Sequence, residues 1–471
     1  MTFADLPNAR PPRRVAIVGA GFSGAVTAIQ LLRHAPPEGL QVVLINESGR
    51  MARGLAYGTH SNAHVLNVPA GNMSALADDA EDFVRYCRWS DPRIEPGSFV
   101  SRRLYGAYLE ALLSAAELQN DGQTTLERIV GRVIGLHTEG PGGRAELLLE
   151  QGSSLLADRV VLAFGHFTPI DPLPAAAVAE AGARYIRDPW RPGALHGIQP
   201  ADDVLLVGAG LTAVDVALAL SSGPRGGRLL SISRRGLAPQ SHRKSGAAPG
   251  TLDASALAAE MGHTVRQQCR VLRQHVQQAL ARGEDWRDVI GALRPHTAAL
   301  WQRLSPADRA RFLRHPRAHW EVLRHRCAPS AHDAYQRLVD TDALNVMAAR
   351  VASVQAVADG LQLQLRPRGA QAVRELKVQH IVNCTGPSAD LQRCPSPLVR
   401  GLLQAGRLCP DPLGLGLVVD EQYAVLDRAG RPSALLSYIG PLLKARDWEA
   451  TAVPELRLHA RRLALQLLGR Q

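Results

Sequence analysis

Residues 15–24 read Val-Ala-Ile-Val-Gly-Ala-Gly-Phe-Ser-Gly and decide the fold that we expect at the start of the chain. Residues 15–18 suit a buried strand, and a run of helix formers continues to Arg33. Between them, Gly19, Gly21 and Gly24 have the G-x-G-x-x-G spacing, which permits a tight turn, a close approach to a pyrophosphate and close helix packing. Free amide groups at the helix N-terminus would face the phosphates. The stretch therefore predicts a dinucleotide site.

The residues that follow extend this βαβ pattern. A second strand is expected over residues 42–45, and it ends at Asn46-Glu47. An acid about twenty residues beyond the glycines binds ribose hydroxyls in such units, so we assign Glu47 to the cofactor. Phe22 and Ser23, within the glycine turn, are assigned to the cofactor as well.

A second glycine turn occurs in the middle of the chain. Residues 204–213 read Val-Leu-Leu-Val-Gly-Ala-Gly-Leu-Thr-Ala, where alanine replaces the third glycine, a variant that this motif accepts. We assign Gly208, Gly210 and Thr212 to a second dinucleotide. The next strand, residues 229–233, ends in Arg234-Arg235 where an NAD enzyme carries an acid. Guanidinium groups suit a 2′-phosphate, so NADPH is expected rather than NADH; two solvent-facing arginines are the alternative.

Further cofactor contacts are expected where the chain returns to the first dinucleotide. Loops rich in glycine and proline follow the first unit, and such loops either cross the surface or line a ligand. Later strands end in glycine, and a closing helix with proline in its first turn begins near Pro454. Its N-terminus could stabilise negative charge on a reduced flavin. The residues assigned on these grounds are Asn67, Gly165, Gly386, Gly440 and Thr451.

The expected fold class is α/β, with two Rossmann-like dinucleotide-binding domains, the second inserted in the first. We assign residues 1–190 plus 385–471 to an FAD-binding domain and residues 191–384 to an NAD(P)H-binding domain. Residues 251–340 break the α/β alternation and are expected to form a helical insert. Helices are expected at 102–118 and 454–468, and strands at 128–136, 145–150, 159–164, 361–366 and 373–384. Residues 1–12 are expected to form a loose leader.

Composition limits the function classes. The chain has 471 residues, 46% of them hydrophobic and 21% charged, which is ordinary for a globular protein. The net charge of +11 is interpreted as basic solvated faces, because no nucleic-acid motif is present; a basic cleft for an anionic ligand is the alternative. The six cysteines include no C-x-x-C pair, so we expect reduced thiols in a cytoplasmic protein, with no metal site. No apolar run is long enough to span a membrane.

Two dinucleotide sites in one chain predict hydride transfer from a nicotinamide to a flavin. Without a dithiol pair, reduction of a disulfide is disfavoured, and molecular oxygen becomes the expected electron acceptor. This combination predicts a monooxygenase. Such an enzyme needs a pocket that excludes water, and the helical insert could serve as its lid.

Several motifs spread over nearly the whole chain resemble the FAD/NAD(P)-binding family that contains the bacterial FAD-dependent urate hydroxylase. The motifs are the first glycine turn, Gly54-Leu55-Ala56-Tyr57-Gly58-Thr59, Leu66-Asn67-Val68-Pro69-Ala70, Arg103-Leu104-Tyr105-Gly106-x-Tyr108-Leu109, Ser233-Arg234-Arg235-Gly236, Arg324-His325-Arg326 and Trp448-Glu449-x-Thr451-Ala452-Val453-Pro454. The resemblance implies conversion of urate to 5-hydroxyisourate with NAD(P)H and oxygen. Most members of this family have unknown activity.

Gly165-His166-x-x-Pro169 is similar to the glycine-histidine signature of class B flavin monooxygenases, although the full fingerprint is absent. The absence of the full fingerprint argues against Baeyer–Villiger or amine N-hydroxylating activity. Two alternatives nevertheless stay open: an N-hydroxylating or other small-molecule monooxygenase, and a basic flavoprotein that acts mainly in partner binding.

Substrate residues are sought in the basic part of the insert. Residues 301–326 contain seven arginines and three histidines against two acids, which suits an anionic purine. Arg324, His325 and Arg326 are our candidates for substrate contact, and a solvated helix end is the alternative. His242, just after the second βα unit, could orient the nicotinamide or act as an acid, although a lone loop histidine is more often structural.

Overall fold

The computed structural model describes residues 14–59, 61, 64–120, 123–138, 143–243 and 252–470, so the expected leader at 1–12 lies outside the described residues. The strands are β1 Arg14–Val18, β2 Gln41–Asn46, β3 Thr125–Val130, β4 Val133–Thr138, β5 Ala145–Leu149, β6 Ser154–Ala157, β7 Arg159–Leu162, β8 Tyr185–Ile186, β9 Val204–Val207, β10 Leu229–Ser233, β11 Leu344–Val357, β12 Gly360–Pro367, β13 Arg374–Val378, β14 His380–Asn383, β15 Ala424–Leu426 and β16 Pro432–Tyr438.

The helices lie between these strands and at the C-terminal end. They are α1 Phe22–Arg33, α2 Gly54–Tyr57, α3 Asp82–Ser90, α4 Arg102–Leu118, α5 Ala175–Ala181, α6 Leu211–Leu220, α7 Ala254–Glu260, α8 Val265–Ala281, α9 Trp286–Ala292, α10 Thr297–Gln302, α11 Pro306–Arg314, α12 Arg317–Arg324, α13 Pro329–Asp340, α14 Pro397–Gln404 and α15 Val453–Leu467. Among the described residues, none of these helices is both long and apolar enough to cross a membrane.

The first sheet is built around β1, as the N-terminal glycine motif predicts. Its strand order is β15-β16-β7-β1-β2-β3, and β1 pairs in parallel with both β2 and β7. Every residue from Val15 to Val18 is at most 9% exposed. Strands buried on both faces suit β-branched and aliphatic residues, which explains the continuous apolar run before Gly19. The C-terminal strand β16 returns beside β7, so the last part of the chain completes this first sheet.

The second sheet repeats the construction around β9. Its order is β13-β12-β11-β10-β9-β14-β8, with β9 parallel to β10 and β14. The expected α/β fold with two dinucleotide-binding units is confirmed. The single strand expected over 373–384 is wrong: β13 pairs antiparallel with β12, whereas β14 pairs in parallel with β9.

A third, antiparallel sheet of β4, β5 and β6 divides another expected strand. Residues 128–136 do not form one strand, because the chain leaves β3 in the first sheet at Val130 and enters β4 in the third sheet at Val133. Gly131 lies at this break. Helices α4 and α15 fall within one residue of the expected ranges.

The chain crosses between the two large sheets twice, at neighbouring points. Phe167 forms an antiparallel bridge with Ser388, and the Asn383 side-chain amide donates to the Ile170 carbonyl oxygen at 3.1 Å. Residues 173–186 already pack in the core of the second sheet, and β8 pairs with β14. On this packing we propose a first division at this crossing, before the expected residue 190.

Helices α7 to α13 form the expected insert between β10 and β11, within residues 252–340. Thr264 caps α8 in a reciprocal pair with Gln267, and the Ser305 hydroxyl caps α11 by accepting from the Asp308 amide at 3.1 Å. Leu280, in the last turn of α8, is 55% exposed.

Candidate cofactor sites and the cleft beside them

The first glycine turn leaves open space in front of the N-terminus of α1. Gly19 has φ +112°, and a Cβ there would lie 2.5 Å from the Ala163 carbonyl oxygen, so only glycine allows the turn to pack on the end of β7. A Cβ on Gly24 would lie 1.9 Å from the Gly19 oxygen. At Gly21, by contrast, the nearest heavy atom is the Gly54 Cα at 3.6 Å. Because the helix has no side-chain cap, this space and the free amides fit a pyrophosphate.

Other residues assigned to the first cofactor surround this turn. Phe22 is buried and its ring lies 6.4 Å from that of Tyr105, while Ser23 is buried beside it. Glu47 follows β2 and lines a depression of about 450 Å³ with Val130 and Glu150. The Glu47 carboxylate accepts from Arg132 at 2.9 and 3.2 Å, so it is already paired within the protein.

The second glycine turn has the same construction. Gly208 has φ +122°, and a Cβ there would lie 2.4 Å from the Cys384 carbonyl oxygen at the end of β14. No heavy atom lies within 4 Å of the Cβ position at Gly210, and α6 starts at the next residue without a side-chain cap. Thr212 lies in the first turn of α6. The chain therefore holds two like-built cradles, each with room for a dinucleotide phosphate.

Arg234 and Arg235 have different surroundings. Arg234 is exposed and makes no hydrogen bond or ion pair with the described residues. Arg235 donates to the His315 carbonyl oxygen at 2.8 Å and to that of Arg314 at 3.4 Å, and its Nη1 lies 3.3 Å from His319 Nε2. From the sequence, the two arginines were expected to form one phosphate site. In the structure, Arg235 instead connects the end of β10 to the turn between α11 and α12 by hydrogen bonds.

Two glycines, one after β7 and one after β14, border open space. No heavy atom lies within 4 Å of a Cβ position at Gly165 or at Gly386. The next residue, His166, is exposed, and desolvation, helped by the charge of Lys444, lowers its pKa to about 4. Gly440 and Thr451 flank the segment that carries Lys444. The imidazole of His166 is therefore neutral at physiological pH.

Helix α12 of the insert faces this segment through a cluster of charges and aromatic rings. Arg317 Nε donates to Glu321 Oε1 at 2.8 Å, and Lys444 Nζ lies 3.9 Å from the same oxygen. Arg324 Nη2 lies 3.3 Å from Glu449 Oε2, and Glu449 is 3% exposed. We call Arg317, Glu321, Arg324, Lys444 and Glu449 the interface cluster.

Of the three residues proposed for substrate contact, two are engaged within the protein. Arg324 is paired with Glu449. Arg326 is buried, donates to the Leu323 carbonyl oxygen at 2.8 Å and lies over the Trp286 ring, and burial lowers its pKa to about 10. His325 ends α12 beside the interface cluster, and desolvation lowers its pKa. Much of the basic wall expected from the sequence is likewise paired with neighbouring groups.

His242 joins the two parts of the molecule. Its Nε2 lies 2.8 Å from the Asn67 carbonyl oxygen, and its ring lies 5.2 Å from that of Phe99. Desolvation lowers the pKa of His242 to about 4 despite the bond to Asn67. The bond to Asn67 holds the ring in place, as the orienting role considered for His242 requires.

His166, Lys444, Glu321 and Glu449 lie near α12 or the open space after β7 but were not among the candidates from the sequence. Gly165-His166 and Trp448-Glu449 were both noticed as motifs, but only tertiary packing brings them near α12. Lys444 carried a signal that was overlooked, because it is one of only three lysines in the chain.

The two sheets, the parallel βαβ units and the two glycine cradles define the fold of the FAD/NAD(P)-binding two-domain oxidoreductases. Residues 16–167 match the FAD-NAD(P)-binding family, which places the first glycine cradle in a domain of that kind. A comparison with proteins of curated function gave no match.

Solved structures share this fold over almost the whole chain. L-lysine 6-monooxygenase from Pseudomonas syringae is 20% identical, with a TM-score of 0.65 over 97% of this chain and 99% of that one. The FAD-bound cadaverine monooxygenase of the desferrioxamine pathway from Erwinia amylovora is 15% identical, with a TM-score of 0.62 over 98% and 95%. Thioredoxin reductase from Lactococcus lactis is 12% identical, with a TM-score of 0.52 over 97% and 98%.

Proposed function

We propose that this protein is a flavoprotein monooxygenase that uses FAD, NADPH and molecular oxygen, and that its reaction is N-hydroxylation of a small primary amine. The observation that carries the proposal is the pair of open cradles at Gly21 and Gly210, each at an uncapped helix N-terminus. The overall reaction is R-NH2 + O2 + NADPH + H⁺ → R-NHOH + H2O + NADP⁺. The similarity in fold to lysine and cadaverine monooxygenases supports the amine over urate.

The residues of this chain would hold the two cofactors in the following way. The amides after Gly21 would bind the FAD pyrophosphate, with Glu47 on the ribose, and the turn at Gly210 and Thr212 would bind that of NADPH. Arg234 would bind the 2′-phosphate, for which its unpaired guanidinium is suited. When bound, FAD supplies hydride acceptance and oxygen activation.

The insert would exclude water from the reaction. Trp301 on α10 donates to the Ala445 carbonyl oxygen at 3.0 Å, and its ring lies 4.7 Å from that of Trp448. The ring of Phe312 packs against the same two indole rings, with its centre 5.0 Å from that of Trp448. This dry contact lies directly behind Lys444 and would shield the substrate on that side.

A second candidate substrate class is an anionic purine such as urate. Three cations and two carboxylates make up the interface cluster, which leaves it with an excess positive charge that would suit an anion. Urate hydroxylation would use the same cofactors.

The test is NADPH oxidation by purified protein with L-lysine, L-ornithine, cadaverine, putrescine or urate. We expect a yellow protein whose NADPH consumption rises with an amine and yields the hydroxylamine, with little peroxide. A urate-dependent rate with formation of 5-hydroxyisourate would favour the second candidate. A colourless protein that takes up no FAD would end both, and FAD uptake without NADPH oxidation would favour a role in partner binding.

Variants at the second cradle link this activity to the site. Gly210→Ala places a methyl group in open space, so the protein should fold and retain FAD, while the KM for NADPH rises about tenfold or more because the pyrophosphate is displaced. Gly223→Ala is the matched control, since its Cβ also meets no heavy atom within 4 Å, outside the motif. An equal KM in both variants would contradict the assignment.

A further inference from the structure

The use of lysine in this chain is unusual. The sequence has 51 arginines and three lysines, Lys244, Lys377 and Lys444. Lys377 is a surface residue paired with Asp359, and Lys244 lies outside the described residues. Lys444 is the remaining one, and its side chain is only 16% exposed. A lysine carries a compact point charge that an arginine cannot reproduce, so this position requires explanation.

The ammonium group of Lys444 lies among groups that leave its hydrogen-bonding capacity unused. Nζ is 4.3 Å from the centre of the Trp448 ring and 3.9 Å from Glu321 Oε1. Neither contact is a hydrogen bond at these distances, and no other described group accepts from Nζ. Because the side chain is partly exposed, its three N–H donors are open to an acceptor from outside the protein.

The neighbouring charges are already balanced by other partners. Arg317 donates to Glu321 at 2.8 Å, and Arg324 pairs with Glu449. Although burial opposes ionisation, Arg317 and Lys444 lower the pKa of Glu321, so this carboxylate stays charged. Desolvation lowers the pKa values of His166 and His325, so neither ring adds a further positive charge. Lys444 is therefore the excess cation of the interface cluster.

We propose that Lys444 binds an oxyanion of the substrate. The preferred substrates are then amines that also carry a carboxylate, that is, amino acids rather than diamines. The charge of this ammonium reaches His166, which is exposed next to the open space at Gly165, and a carboxylate bound there could accept the free N–H groups of Lys444. This proposal rests on the proposed monooxygenase function for the identity of the amine, but not for the binding of the carboxylate.

The first test measures binding without turnover. FAD-loaded protein is treated with an amine acylating reagent, and the acylation of each lysine is mapped by mass spectrometry. L-lysine, L-ornithine and acetate, the smallest carboxylate, should protect Lys444 several-fold, whereas cadaverine and putrescine should not. Lys377 is the internal control and should react equally throughout. Equal protection by diamines, protection by FAD alone, or no protection by any carboxylate would overturn the proposal.

The second test uses substrates that differ only in the carboxylate. Lys444→Met should raise the KM for L-lysine and L-ornithine about 10- to 100-fold, the range for loss of a charge-assisted hydrogen bond, with less than a twofold change for cadaverine and putrescine. Lys377→Met should change neither, and flavin absorbance should show unchanged FAD content. Equal effects on both members of each pair would overturn the proposal.

The two proposals fail in different ways. If carboxylates protect Lys444 but no amine stimulates NADPH oxidation, the anion site stands and the monooxygenase function falls. If diamines are hydroxylated as well as amino acids, and Lys444→Met changes the KM equally for substrates with and without a carboxylate, the monooxygenase function stands and the anion site falls.

Discussion

The basic residues near the candidate sites divide into paired charges, neutral rings and one cation without an acceptor. Arg324 and Arg326 looked equivalent in sequence, but one is bound to a carboxylate and the other lies against an indole ring. His166 and His242 are both neutral because the protein around them disfavours a charged ring. Residue type alone therefore does not identify which basic groups are available to a ligand.

Arg234 and Arg235 should have separable effects on coenzyme use. Arg234→Ala should raise the KM for NADPH about 10- to 100-fold and leave that for NADH nearly unchanged, because only NADPH carries the 2′-phosphate. Arg235→Ala removes bonds to the carbonyls of Arg314 and His315, so it should lower the melting temperature and affect both coenzymes alike. Steady-state kinetics with both coenzymes decide the matter, and the reverse pattern would remove the phosphate assignment from Arg234.

His242 should make the protein less stable in acid. Its pKa is about 4 in the native state and 6.5 as an ordinary histidine, so between these values the unfolded chain binds a proton that the native state does not. Stability due to this group is thus full above pH 6.5 and declines as pH falls toward 4. His242→Gln should reduce the proton uptake on unfolding by about one in this window. The free energy of unfolding of both proteins, measured with denaturant across this pH range, tests the prediction. If the two plots of unfolding free energy against pH run parallel throughout, the prediction is contradicted.

At the scale of elements, helix α4 connects the first cofactor site to the second domain. Its N-cap is Ser101, whose hydroxyl accepts from the Leu104 amide at 3.2 Å. The next residue, Arg102, reaches the second domain, while Tyr105 packs on Phe22 behind the glycine turn. The start of this helix therefore fixes groups on both sides.

Ser101→Ala should cost about 1 kcal/mol of unfolding free energy, because it removes the side-chain acceptor at the helix N-terminus. Ser101→Asp supplies another acceptor with a favourable charge and should retain most of the stability. Chemical unfolding of the three proteins gives the comparison. If the alanine and aspartate variants lose equal amounts, the cap contributes nothing.

Helices and strands with a clear hydrophobic periodicity or a glycine motif were predictable from the sequence. Elements whose formation depends on packing against distant segments were not. The glycine turns and the flanking strands and helices follow from local sequence, as α1 and α6 show. β11 was missed because its fourteen residues are mostly half-buried or exposed and carry no clear alternation. The interface cluster could not be predicted for another reason. Its members come from α12 and from residues 444–449, and these segments meet only when the insert packs on the rest of the protein.

At the scale of the whole molecule, the ion pair of Arg102 and Asp215 is one of several that join the two domains. Arg102 Nη2 lies 2.8 Å from Asp215 Oδ2 on α6, and the two side chains are 15% and 14% exposed. The Arg102 guanidinium also lies over the Trp190 ring. Burial raises the pKa of Asp215 even though Arg102 opposes this shift, so the pair is held in a site with little solvent.

Asp215→Ala should destabilise the protein by about 3 kcal/mol, because it leaves the charge of Arg102 buried without a partner. Replacing both residues, as Arg102→Met with Asp215→Leu, should recover much of this loss. Asp359→Ala, at the exposed pair with Lys377, is the control and should change stability little. Thermal and denaturant unfolding would check the series, and equal losses in the single and double variants would argue against a coupled pair.

The paired crossings near Phe167 and Ser388 have a consequence for the origin and the engineering of this architecture. A domain whose entry and exit lie one β-bridge apart needs only a short gap in its host, so the host sheet can close when the inserted domain is removed. The same arrangement makes these two points natural places to exchange the domain of the second sheet for another while the domain of the first sheet is kept. Coenzyme choice and substrate choice could then be altered by recombination rather than by point substitution.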